Sequence, residues 1–392
     1  MSLFLQSAKE NTKYAPPFCY LGYYYDLVEH DSTRAIKCFQ KSIQLDPLNS
    51  EANKALVMLK LAANKHAEAI ELLQAYCDRT PRNDWAHKLL GNLLLNSARY
   101  ADAIFHFNQS LRYDDKNPSI WTCLGVALSL EGKYVAGSRA FQRALDLTNC
   151  HDEKLNISYL LSATLLKLGE EGEAIVILQN LIDNIPNHLP TRLKLIEAHI
   201  GLARGKRKEG TFAAYQSILE NALGVAVEGF KYHKSIWLFR FVGRILTLLL
   251  IDNMGCGTDL LNNLLNNLKE FQHDSDVKFL DDYHSNDLLF KCCLLSLIVS
   301  CRLAHDLEDL QAFCLYDLAL CSYYGYMRQQ ENTFILKKAT QIIRTCIEIL
   351  PNNAMFWNAA GVFLQTLDVG RSQHCFIKAT YLSNSVHDYF YI

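Results

Sequence analysis

An all-α solenoid of stacked helix pairs is the fold class this sequence predicts, and three observations predict it. The first is a period. Pro47 and Pro81, Ala69 and Ala103, and Gly91 and Gly125 are each 34 residues apart, and three independent pairs keeping one spacing mark a repeated supersecondary unit. The second is the spacing within a unit. In the stretch 84–117, Leu90, Gly91 and Leu94 fall one turn apart, and Ala103, Phe107 and Ser110 follow at intervals of four and three, so two short helices each carry one apolar face. The third is that no stretch alternates apolar and polar residues long enough to predict a sheet.

Taken in order, residues 1–14 read as a lead-in. The first unit, 15–49, places Leu21, Gly22 and Tyr25 on its first helix and Ala35, Phe39 and Ser42 on its second, with one extra residue in the turn between them. Asp46 and Pro47 stop it, since proline lacks an amide hydrogen and disfavours helical geometry in the residue before it. The second unit, 50–83, has Leu56, then Ala69, Leu73 and Tyr76, and stops at Pro81. In the third, 84–117, Gly91 and Ala103 are small where two helices cross and Phe107 is large where a gap needs filling. The fourth, 118–151, repeats Trp121, Leu124, Gly125, Leu128, Tyr134, Gly137, Phe141 and Ala144. After a short insertion the fifth, 155–188, carries Leu161, Leu165, Gly169, Ala174, Leu178, Leu181 and Pro186.

From 189 to 335 the register degrades. One helix runs to about Leu202, a basic loop follows at Arg204–Lys208, and a second helix lies near Phe212–Leu223. Four or five long apolar helices complete the section, with turns near 252–257 and 272–287. The pattern returns over 336–385, in Ala339, Ile343, Cys346 and Pro351 and then in Trp357, Gly361, Leu364, Phe376 and Ala379. Residues 386–392 read as a tail without the polar capping helix that solenoid ends need, which suits a truncated scaffold or a partner-covered surface. This 34-residue helix–turn–helix pattern is that of the tetratricopeptide repeat. The expected architecture is therefore a right-handed superhelix of stacked helical hairpins with a degenerate helical middle.

Composition narrows the setting. Half of the 392 residues are hydrophobic and a fifth are charged, which predicts a packed core and argues against general disorder. The formal net charge of −2 gives no global attraction to nucleic acid or acidic membranes. Thirteen cysteines without a C-x-x-C pair read as reduced, mostly buried thiols of a cytoplasmic or nuclear protein. Two apolar stretches, 236–251 and 288–304, are interrupted by Arg240 and Arg244 and by Lys291 and Arg302. Both fall short of the roughly 18 uninterrupted apolar residues of a spanning helix, so buried helices and no membrane are expected.

No constellation points to catalysis. P-loop, dinucleotide-glycine, G-x-S-x-G and H-E-x-x-H patterns are absent. The paired carboxylates Glu170–Glu171 and Asp281–Asp282 read as solvated turns. His374–Cys375 and Cys292–Cys293 lack partners at ligand spacing, and neighbours on a helix point in different directions. No enzyme, cofactor or metal is expected, and the basic loop reads first as a solvated segment. The tyrosines of Tyr23–Tyr25 and of Tyr323, Tyr324 and Tyr326 divide between core and a sticky surface.

In proteins that resemble this one, the first helix of each repeat lines a concave face. The corresponding positions here are Tyr23, Lys54, Met58, Trp85, Lys88, Asn92, Thr122 and Val126, a mixed surface suited to an extended peptide. The repeat-defining set beneath it is Gly22, Gly91, Gly125, Ala69, Ala103, Phe107, Phe141, Trp357 and Gly361. Lys88 with Asn92 resembles the opening pair of the carboxylate clamp of chaperone-binding tetratricopeptide domains. The clamp's later positions are Cys123, Asn156 and Leu160, so the sequence does not carry it.

A narrower resemblance lies in Trp357–Thr380. There Trp357, Asn358, Ala359 and Gly361, and the run Ser372–Lys378, are similar to the large tetratricopeptide scaffold subunit of the superkiller (SKI) complex. The order of parts over about 15–382 agrees with that family. The resemblance implies a non-enzymatic, cytoplasmic protein–protein interaction scaffold. Its implied partners are a DExH-box RNA helicase, a WD-repeat protein and the exosome, in messenger RNA decay from the 3′ end. The family's chains are much longer, which leaves a fragment, a short isoform and a diverged paralogue as readings of this one. A tetratricopeptide adaptor outside RNA decay, holding a peptide around Trp85 and Lys88, is the alternative.

Overall fold

The computed structural model describes residues 2–273, 287–329 and 333–385. Among the described residues every regular element is a helix, and the chain forms the all-α tetratricopeptide solenoid that the period predicts. The helices cluster into two compact units, Met1–Leu168 and Gly169–Ile392.

In the first unit, α1 (Ser2–Glu10) precedes four hairpins: α2 (Pro16–Leu27) with α3 (Ser32–Leu45), α4 (Ser50–Ala62) with α5 (His66–Arg79), α6 (Asp84–Asn96) with α7 (Tyr100–Leu111), and α8 (Pro118–Leu130) with α9 (Tyr134–Leu147). The last helix, α10 (His151–Leu168), packs on α9. The period extends to the caps. Asn49, Asn83 and Asn117 each accept a first-turn amide through the side-chain oxygen, from Ala52 at 3.0 Å, Ala86 at 3.3 Å and Ser119 at 3.1 Å. This satisfies donors that a helix start leaves without partners. At the inter-helix turns, Asn64, Ala98 and Gly132 take φ of 56°, 57° and 84°. The residue after each donates back five residues, as Arg99 does to the Leu94 carbonyl at 2.9 Å, and so closes the helix end.

Each hairpin is locked by size complementarity. A Cβ built on Gly22, Gly91 or Gly125 would lie 2.6, 2.7 or 2.7 Å from the ring of Phe39, Phe107 or Phe141. Those rings are fully buried, so each glycine exists to let a phenylalanine cross its helix. In the second hairpin the equivalent positions, 34 residues before Gly91 and Phe107, hold Val57 and Leu73: a larger residue faces a smaller one. Ala69 and Ala103 are fully buried at the same crossings. The hydroxyls of Ser42 and Ser110 donate to the carbonyls of Ala15 and Asp84, at 3.2 and 3.1 Å, and tie the second helix to the start of the first.

The second unit begins with α11 (Glu171–Asn184), α12 (Leu189–Lys208) and α13 (Phe212–Gly229). It continues through α14 (Ile236–Ile251), α15 (Thr258–Lys269), α16 (Leu288–Leu303), α17 (Glu308–Gln329), α18 (Thr333–Ile349), α19 (Ala354–Leu364) and α20 (Val369–Ser385). Longer helices build a thicker core here, centred on Tyr215, Phe239, Leu246, Cys293 and Leu294. Arg192 is buried to 2 % exposure and bonds the carbonyls of Val225 at 3.0 Å and Pro186 at 2.9 Å, which joins α12 to α13. Near the end the hairpin lock returns, with a Cβ on Gly361 meeting the Phe376 ring at 2.7 Å. The indole of Trp357 caps the preceding turn by donating to the Pro351 carbonyl at 2.7 Å.

One expectation is overturned. Arg204–Lys208 is not a loop but the last turns of α12, which runs on past Leu202. The stop is Gly210, at φ 76°, with Gly210 and Thr211 donating to the carbonyls of Arg207 and Lys206 at 3.1 and 3.0 Å. Cations suit a helix C-terminus, where the carbonyl ends carry partial negative charge, and Ala203 is fully buried against the core. Helix α13 likewise runs beyond the expected Leu223, to Gly229. No described helix is long and apolar enough to cross a membrane. The pair Asp281–Asp282, most of the turn expected at 272–287 and the tail 386–392 lie outside the described residues.

Candidate partner-binding groove

The first helices of three successive hairpins, α2, α4 and α6, line an open cavity of about 880 Å³. Tyr23, Lys54, Met58 and Trp85 of the expected groove set meet there. The indole of Trp85 donates to Ser50 Oγ at 3.0 Å and lies 5.6 Å, ring to ring, from Tyr76. The Lys54 ammonium sits 6.0 Å above the same indole, a favourable cation–π geometry. Tyr23 meets Phe39 edge-on at 5.2 Å and points its hydroxyl at the Glu51 carbonyl, 3.4 Å away. Burial pushes the Tyr23 hydroxyl pKa up, with smaller contributions from Cys19 and Glu51, so it stays a neutral donor. Met58 and Leu27 are more than half exposed and give the cavity an apolar rim.

The other four expected positions lie elsewhere. Lys88 and Asn92 on α6, and Thr122 and Val126 on α8, are half-buried and outside the cavity lining. The Thr122 hydroxyl is spent on its own helix, donating to the Pro118 carbonyl at 2.9 Å. Lys88 lies close enough to Cys123 to stabilise its thiolate, although burial dominates and raises that thiol's pKa.

The cavity also includes Asp26, Leu27, Ser50 and Glu51, which the sequence reading missed. Asp26 is one turn from Tyr23, and Ser50 and Glu51 are one turn before Lys54, so helical neighbours of the expected positions are the signal that finds them. One lysine and two carboxylates, Asp26 and Glu51, line the cavity among aromatic and aliphatic side chains. Such a surface offers contacts to both the polar and the apolar side chains of an extended polypeptide. Among the described residues no group of three or more His, Cys, Asp or Glu is placed to hold a metal ion.

Tetratricopeptide repeat models match residues 26–84 and 60–127. The chain is similar to superkiller protein 3 of Schizosaccharomyces pombe, with 27% identity over 95% of this chain and 28% of that one. It is also similar to superkiller complex protein 3 of Mus musculus, with 26% identity over 95% of this chain and 24% of the relative. The resemblance seen in Trp357–Thr380 thus extends over nearly the whole chain, which spans about a quarter of the length of the curated relatives it matches. A crystal structure of YrrB, a tetratricopeptide protein, aligns at TM-score 0.43 and 18% identity, over 48% of this chain and 95% of that one.

Proposed function

We propose that the chain is a non-enzymatic scaffold of a superkiller-type complex, serving 3′-to-5′ messenger RNA decay by the exosome in the cytoplasm. One observation carries this reading. Similarity to superkiller protein 3 covers 95% of the chain, including the long helices of 189–335, whereas the generic repeat models stop at residue 127. A shared repeat motif accounts for likeness among regular hairpins; it does not account for likeness through a section where the motif has dissolved. In this reading a DExH-box RNA helicase, a WD-repeat protein and exosome subunits are the partners. The cavity at Tyr23, Lys54, Met58 and Trp85 holds an extended segment of one of them.

That same cavity supports a second reading, a tetratricopeptide adaptor outside RNA decay, because its mixed lining is not specific to any one complex. Affinity purification of the tagged chain from its own cytosol, with and without nuclease, separates the two. Nuclease-resistant recovery of a helicase, a WD-repeat protein or exosome subunits, reduced in a Trp85→Ala, Lys54→Glu double variant of unchanged melting temperature, is the expected result. Recovery of none of them, with another protein dominant, makes the chain an adaptor of separate function.

A further inference from the structure

A second cavity, of about 310 Å³, opens in the second unit among α12, α14 and α17. Its lining holds three guanidinium groups, Arg204, Arg240 and Arg244, and a single carboxylate, Asp317. With Asp317 ionised, three positive groups and one negative leave the lining at +2. This stands against the chain's overall −2.

The arginines are not equivalent. Arg240 is a fixed wall: its Nε donates to Asp317 at 2.6 Å, and its guanidinium lies 5.7 Å from the Phe313 ring and 6.0 Å from the Trp237 ring. Arg244 is one turn further on the same face of α14, and like charges at that spacing repel. It makes no ion pair or side-chain hydrogen bond with any described residue, and its side chain lines the cavity. Arg204 lies exposed on the neighbouring helix and lines the same cavity. A half-buried arginine that served packing alone would carry a hydrogen-bonded partner, as the buried Arg192 does through its two carbonyls, whereas Arg244 is attracted to Asp317 without bonding it. Guanidinium is a flat fork of donors that matches a carboxylate with two parallel hydrogen bonds, and a half-enclosed site strengthens that pairing over the same contact in water.

From these groups we infer that the cavity is a docking socket for an acidic protein segment, in which an aspartate or glutamate carboxylate pairs with Arg244 and Arg204. The remaining wall says which neighbours that acid has. Ile200, Leu248, Ile251, Leu320 and Met355 add aliphatic surface to the lining, so an apolar residue beside the acid is buried with it. The same wall and the Asp317 carboxylate disfavour a nucleic-acid backbone, whose successive phosphates need a cationic track. This site lies wholly in the second unit and is separate from the groove of the first.

The test is selection of a random phage-displayed peptide library on the full chain, followed by fluorescence anisotropy of the enriched peptides. Wild type, Arg244→Glu and Arg204→Glu are compared, each checked for an unchanged melting temperature. Peptides with Asp or Glu next to an aliphatic or aromatic residue are expected, and their affinity should fall at least tenfold in either variant. Arg204, being exposed, keeps the test decisive if Arg244→Glu does not fold. The inference is overturned if no peptide is enriched, if the enriched peptides lack acids, or if they bind wild type and variants alike. It is also overturned if labelled single-stranded oligouridine, and not peptide, loses binding in the variants, since the occupant is then nucleic acid.

Discussion

At the scale of single residues, the glycine–phenylalanine lock decides where the helices cross. Phe107 is fully buried, so it cannot move aside for a Cβ that would arrive 2.7 Å from its ring. Gly91→Ala should therefore destabilise the fold by about 1–3 kcal/mol through overpacking, and Gly91→Leu or Gly125→Leu by more. The second hairpin shows the alternative solution, Val57 opposite Leu73. Gly91→Val combined with Phe107→Leu should recover part of the loss, so the two changes couple favourably in a double-mutant cycle followed by urea unfolding. Simple additivity would mean that the two side chains do not share the crossing.

At the scale of elements, helix ends are governed by backbone sign and by cap chemistry. Ala98 occupies a turn position at φ 57°, where the equivalent residue of the next hairpin is Gly132. An L side chain is strained there by about 1–2 kcal/mol, so Ala98→Gly should raise stability by up to about that amount. Gly205 presents the reverse case. It lies inside α12, and a Cβ on it would meet nothing within 4 Å. Gly205→Ala should then stabilise by about 0.5–1 kcal/mol, because the helix no longer orders a flexible residue. A neutral or destabilising result from thermal unfolding would mean that the basic segment is not helical in solution.

At the scale of the molecule, a stack of hairpins is held mainly by contacts between neighbours, so damage should stay local. Gly91→Leu is expected to raise amide hydrogen exchange across 50–151 while 288–364 keeps its protection, read by mass spectrometry. Loss of protection along the whole chain would instead mean one cooperative unit.

The sequence by itself determined the helical hairpin, its period and its stops, because those rest on local chemistry. Proline lacks a donor at Pro47 and Pro81, and the small residues Gly91 and Gly125 recur in register with the large Phe107 and Phe141. Four of the eight expected groove positions, Tyr23, Lys54, Met58 and Trp85, come together in one cavity of the first unit, because repeat spacing places them at related positions of successive first helices. What lay beyond the sequence depends on which helices meet. Arg204–Lys208 has the composition of a loop, and only a buried Ala203 and the chain reversal at Gly210 make it helix. Arg204, Arg240, Arg244 and Asp317 are scattered over more than a hundred residues without a shared motif. Packing of α12, α14 and α17 brings them to one cavity, and no periodicity along the chain encodes that meeting.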